Sequence, residues 1–171
     1  MSMIGEYVRV TPAELDRAVR EPDWAKTFVF GLLEVEPDDE TDDEPDPGEA
    51  RFLDTDKAWG AIEYLLRRID FPVNVVHGEE SLPGAEEWGY GPPRYLTPEQ
   101  VRKAAEGLVT TGFGRLAQGV TPDDLARADV YPQIIWKRAE SFDYVQGHYE
   151  ALVEFFEAAA REGDALLVWL G

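Results

Sequence analysis

Three features predict an α/β fold in a single domain over residues 1–171: several helices packed around a small mixed sheet that includes the N- and C-terminal strands. Helix starts repeat one Thr-Pro device, apolar residues recur at helical spacing, and a short apolar run stands near each end of the chain. A chain of 171 residues can bury roughly 70% of its unfolded surface around one core.

Tyr7-Val-Arg-Val10 reads as the first strand. Thr11-Pro-Ala-Glu14, Thr97-Pro-Glu-Gln100 and Thr121-Pro-Asp-Asp124 each place threonine at N-cap, proline at N1 and an acceptor at N3. The hydroxyl takes an orphan amide, proline lacks the amide that would be orphaned, and the N3 side chain reaches back. The first helix runs from Pro12 to about Arg20, where Glu21-Pro22 stops it. The apolar stretch Trp24 to Leu33 suits a helix, although Thr27-Phe-Val-Phe30 also suits a strand. Asp54-Thr-Asp-Lys-Ala-Trp59 opens a helix whose Trp59, Ile62, Leu65, Leu66 and Ile69 form an inward stripe.

Pro98 to Leu108 is a helix with Val101, Ala104, Ala105 and Leu108 on one face. The longest helix spans about Phe142 to Arg161 and buries Val145, Tyr149, Leu152, Val153 and Phe156, with Gly163 suited to its C-terminal cap. Ala165-Leu-Leu-Val-Trp-Leu170 fits a strand covered on both faces, and Tyr7 to Val10 is its expected partner.

Composition excludes several chemistries. There is no cysteine, hence no disulfide, thiol nucleophile or cysteine metal site. The first residues lack a basic and apolar leader pattern, and no apolar run is long enough to span a bilayer, so the expected compartment is the cytoplasm. The formal charge is −19, and ten acids with no base lie between Glu34 and Glu49. That segment, with three prolines, reads as an acidic mobile loop. Such a field repels phosphate backbones, so neither nucleic acid nor an anionic membrane is expected as a partner; a basic protein is the electrostatic complement.

Few residues offer a site. Gly112-Phe-Gly-Arg-Leu-Ala117 matches the dinucleotide fingerprint, but a helix precedes it where the motif needs a strand. It reads as a helix-to-helix turn. Glu150, Glu154 and Glu157 share a helix face without the Glu-x-x-His pairs of a di-iron site, so they read as a solvated face, and no metal or cofactor is expected. Asp54 and Asp56 read as a helix-capping group, with an acid–base pair as the alternative. His77 has no identifiable partner. The stiff loop from Trp88 to Tyr95 holds Arg94 between proline and tyrosine, poised for a forked contact to a carboxylate or phosphate, or packed as structure.

At these residues the chain resembles the YfbM-like family, a bacterial group of unknown function. The likeness is carried by Met3-Ile-Gly5, Leu53-Asp-Thr-Asp-Lys-Ala-Trp59, Tyr90-Gly-Pro-Pro-Arg-Tyr-Leu-Thr-Pro98, Val130-Tyr-Pro-Gln133 and Glu162 to Leu170. It implies a compact α/β domain and no established catalytic residue. The segments draw Tyr90, Arg94, Tyr95, Asp54, Asp56 and Tyr131 together as binding candidates. The expected function is a non-enzymatic acidic binding module. The alternative is a small-molecule pocket around Arg94, Tyr90 and Asp54/Asp56.

Overall fold

A computed structural model describes residues 2–34, 46–138 and 140–171. In chain order its elements are β1 (Gly5–Val10), α1 (Pro12–Arg20), α2 (Pro22–Leu33), β2 (Phe52–Asp54), α3 (Trp59–Arg68), β3 (Glu80–Ser81) and β4 (Arg94–Leu96). They continue with α4 (Pro98–Val109), α5 (Phe113–Leu116), α6 (Pro122–Arg127), α7 (Ser141–Glu162) and β5 (Ala165–Leu170). All three Thr-Pro starts close as reciprocal capping boxes at the heads of α1, α4 and α6. Trp24 to Leu33 is helical: Pro22 occupies the first turn of α2, where its missing amide costs nothing. At the other end of the chain, Gly163 adopts φ 73° to terminate α7, a conformation that glycine takes without strain.

The strands form one sheet in the order β2-β1-β5-β4-β3. The expected pairing of the two terminal strands is present, with Tyr7 opposite Val168 and Val8 opposite Leu167. The α/β class holds, but every neighbouring pair is antiparallel rather than mixed. A parallel pair needs a crossover connection, usually a helix, that carries the chain back to the end where the first strand began. Here α1 and α2 separate β1 from β2, and α4 to α7 separate β4 from β5, with the two long helices α4 and α7 packed on each other. In both cases the chain re-enters the sheet running the other way.

The continuous apolar run of β5 follows from its central position with a core on each face. Val8, Val10, Leu167 and Trp169 pack with Leu15, Ala18, Ala25 and Val29 of α1 and α2. On the opposite face Tyr7, Leu166 and Val168 join Ile62, Leu65, Val101, Leu152, Phe155 and Phe156 from α3, α4 and α7. The inward stripe of α7 buries Val145, Tyr149, Leu152 and Phe156 as its spacing predicts. Val153 is only half-buried; Phe155 takes the inner position instead. Gly60 lets α3 approach the 131–132 segment so closely that a β-carbon there would stand 2.5 Å from the Tyr131 carbonyl oxygen.

Of the expected acidic loop, residues 35–45 lie outside the described residues. Glu34 caps α2, and Asp46 forms a turn by accepting from the Gly48 amide at 2.9 Å.

Candidate functional site

The stiff loop divides its side chains among different environments. Trp88 is buried against Phe30 and Trp169, so it belongs to the core. Tyr95 is half-buried on that same side of the sheet; burial, then its bond to Glu80, raises its phenol above the ordinary value. Tyr90 remains 45% exposed while its amide donates to the Leu170 carbonyl at 2.9 Å.

Arg94 binds its own loop. Its Nε donates to the Gly78 carbonyl at 3.2 Å, one terminal nitrogen to Ser81 Oγ at 2.8 Å, and the other to the Glu79 carbonyl at 2.9 Å. The guanidinium therefore clamps the 78–81 turn to β4. It forms no salt bridge among the described residues.

Neither aspartate caps α3, whose N-cap is Ala58 without a side-chain bond; Asp54 instead closes a local turn before it, its Oδ1 accepting from the Asp56 amide at 3.1 Å. Thr55 instead donates to the Gly5 carbonyl at 3.4 Å. Asp56 has φ 46° and accepts from the Tyr144 hydroxyl at 2.6 Å, while that hydroxyl accepts from the Lys57 amide at 3.0 Å. Burial, then the bond to Asp56, pushes the Tyr144 phenol well above its ordinary value. Tyr131 stacks on Trp59 at 5.3 Å. Its hydroxyl accepts from the Met3 amide at 2.9 Å, and Trp59 Nε1 donates to the Met3 carbonyl at 3.0 Å. Tyr131 thus holds the N-terminal segment.

These residues do not converge. Asp54 on β2 and Arg94 on β4 have β1 and β5 between them, three strand spacings or about 14 Å. They also leave opposite faces. Register puts Asp54 beside Glu6 and Trp169, on the α1/α2 side, and Arg94 beside Val168, on the other. Residues directly opposite in antiparallel strands share a face. A single pocket around Arg94, Tyr90 and Asp54/Asp56 is therefore not formed, because strand alternation and the two intervening strands keep the charges apart.

Two other arrangements emerge. Along β2 and α7 runs a groove of about 980 Å³ whose wall holds Asp46, Asp54, Asp143 and Glu154 over Phe52, Leu53 and Ala151. Among the described residues this wall contains no lysine or arginine. Toward the other edge of the sheet, Tyr90 and Arg94 share a cleft of about 180 Å³ with His77. His77 Nε2 lies 2.9 Å from Glu63 Oε2, and Glu63 is also held by Arg67 at 2.8 Å. The bond from His77 lowers the Glu63 carboxyl below the ordinary carboxylate value, against the effect of burial. This partner was illegible in the sequence: Glu63 sits on α3 beside an apolar stripe, fourteen residues from the histidine.

Glu6 is a further perturbed group. Register sets it opposite Asp54, and burial, then that neighbouring charge, pushes its carboxyl up to about 7. Glu150, Glu154 and Glu157 are exposed on α7. No metal-ligand cluster occurs among the described residues, and no helix there is long and apolar enough to cross a membrane.

With the geometry in place, comparison with known proteins agrees on the fold and leaves the chemistry open. The chain belongs to the family of the domain of unknown function DUF1877, whose model matches residues 1–169. Its structure is similar to the crystal structure of YfbM, a protein of unknown function from Escherichia coli. The TM-score is 0.65 at 16% identity, over 99% of this chain and 100% of that one. No curated protein matches the sequence. The resemblance read from the sequence segments is thereby borne out.

Proposed function

Since membership of a family of unknown function supplies no activity, we propose from the groove itself that the protein is a non-enzymatic binding module for a basic segment of another protein, acting in the cytoplasm. The observation that carries this reading is the lining of the β2–α7 groove: four carboxylates beside His148, no lysine or arginine among the described residues, and the apolar side chains of Phe52, Leu53 and Ala151. Carboxylates interspersed with apolar side chains match an extended segment whose lysines or arginines alternate with apolar residues. The three residues of β2 all line the groove, and β2 is an edge strand, so its backbone lies beside any chain seated there. The net charge of −19 adds long-range attraction for a basic partner and repels competing anionic polymers.

The test is titration of the protein with a lysine- and arginine-rich peptide that carries alternating apolar residues, followed by fluorescence anisotropy. Binding is expected at low salt, with loss at 1 M, where the Debye length falls to about 3 Å. The Asp143→Asn, Glu154→Gln pair is expected to weaken it about tenfold or more. Equal binding by the neutralised groove, or full retention at 1 M salt, overturns the reading.

A further inference from the structure

The cleft beneath Tyr90 differs in charge from every other hollow described on this molecule. Each of the other four has at least two carboxylates in its wall. The wall of this one has none; its polar side chains are His77, Tyr90 and Arg94, set against Val76, Pro92 and the end of β5. In a chain carrying 35 acidic residues against 16 basic ones, such a wall is a local inversion of the surface charge.

The polar groups of this cleft are fixed but not used up. Three of the five Arg94 N–H groups bind the 78–81 turn. One on each terminal nitrogen remains without a protein partner among the described residues. The loop bonds immobilise the guanidinium, so little rotamer freedom is left to lose when it meets a ligand. His77 is held in the same way: Nε2 is committed to Glu63 at 2.9 Å, its ring stands edge-on to Trp59 at 5.8 Å, and its second ring nitrogen, which has no partner among the described residues, donates to an anion once the ring carries its second proton. Glu63 lines a different hollow, below Phe71, so its charge lies behind the imidazole rather than in the cleft. Tyr90 adds a phenol at the exposed rim.

We infer that this cleft is a binding site for a small anion, a carboxylate or phosphoryl group on a compact molecule, held by Arg94 with His77 and Tyr90. A preset guanidinium is suited to the paired oxygens of both groups. At about 180 Å³ the cleft is smaller than the roughly 300 Å³ at which drug-sized pockets begin, which limits the ligand to a few atoms beyond its charged group. The acidic body slows the approach of any anion, so affinity has to come from contacts inside the cleft. This site is independent of the β2–α7 groove, and either can fail without the other.

The test is amide and imidazole NMR of the full chain, titrated separately with inorganic phosphate and with acetate, using sodium chloride at matched ionic strength as the control. Saturable shifts confined to residues 76–78, 90–94 and 168–170 and to the His77 ring are expected for at least one of the two anions and not for chloride. Phosphate alone identifies a phosphoryl ligand, and acetate alone a carboxylate. His77→Gln is expected to keep the remaining spectrum and weaken binding about tenfold, the worth of one charge-assisted hydrogen bond. Arg94→Lys, which keeps the charge without the fork, is expected to weaken it similarly. Shifts that do not saturate, that spread over the surface, or that persist at equal affinity in both variants overturn the inference.

Discussion

The β2–α7 groove and the Tyr90 cleft lie on the same small molecule but use their charged groups in opposite ways. In the cleft, Arg94 is tied to three loop acceptors and His77 to Glu63. In the groove, Asp143 and Glu154 form no salt bridge among the described residues, and Asp46 and Asp54 bind only local amides. Arg94 and His77 in the cleft therefore serve as scaffold while keeping groups over for a ligand, whereas the groove's carboxylates bind at most local amides and stand ready for something outside the chain. Loss of a cleft group should cost stability as well as binding, and loss of a groove acid binding alone. Substitutions can separate those two dependences.

The largest stability effect is expected at Arg94. Arg94→Ala removes three hydrogen bonds and leaves the Gly78 and Glu79 carbonyls without the partner that holds their turn. Two of the three bonds lie open to water, which trims the loss to about 2 kcal/mol. For a chain of this size that lowers Tm by about 4–8 °C, measurable by calorimetry. An unchanged Tm would show that the guanidinium is not scaffold and would dissolve the contrast from the cleft side.

Glu6 sharpens the comparison from the edge of the groove. Its folded carboxyl titrates at about 7, above the value of the unfolded chain, so the fold prefers the protonated form. This group's contribution is fully present below pH ~4.5 and is lost as pH rises toward 7. Above that range, ionised Glu6 faces Asp54 across β1 and β2, a like-charge pair that weakens the edge. Glu6→Gln is expected to leave Tm unchanged near pH 4.5 and raise it increasingly up to pH ~7. The gain is about 1–2 kcal/mol once solvent screening of a partly exposed carboxyl is allowed for. A gain that is flat across pH would remove Glu6 as its source.

What the sequence revealed and what it hid divide along a physical line. The capping boxes at Thr11, Thr97 and Thr121 are local: three side chains within four residues decide each, and all three form. The central placement of Ala165–Leu170 is legible because burial on both faces leaves a continuous apolar run. The His77–Glu63 pair and the bonds of Tyr144 to Asp56 and Lys57 join residues far apart in sequence, and nothing in their spacing encodes the meeting. Arg94 shows the same limit: its proline-flanked setting left an outward contact and a structural role both open, and the acceptors that decide it, Ser81 Oγ and the Gly78 and Glu79 carbonyls, lie thirteen to sixteen residues upstream. The sheet's direction depended on the end at which the connecting helices return the chain, which local pattern does not record.

Tyr144 lies between these extremes, since it lines the groove and is also wired into the fold. Tyr144→Phe keeps the ring and deletes the bonds to Asp56 and to the Lys57 amide. A loss of about 1 kcal/mol is expected, with peptide binding affected less than by neutralising the acids. If binding falls more than stability, the hydroxyl contacts the partner directly and belongs with the groove's recognition groups.

The smallest stability effect is expected where the recognition effect is expected to be greatest. Asp143 stands in the first turn of α7, where its charge favours the positive end of the helix dipole by about 0.3–1 kcal/mol. Glu154 is exposed farther along the same helix. Converting them to Asn and Gln gives up that helix-end contribution but relieves repulsion in a chain with a net charge of −19. The two terms oppose each other, so the change in unfolding free energy should stay within about 0.5 kcal/mol, as for surface sites without a structural partner. Urea unfolding and peptide titration on the same preparation can resolve the two quantities. A large stability loss would mean that the acids are structural after all, and the groove would then differ from the cleft only in the sign of its charge.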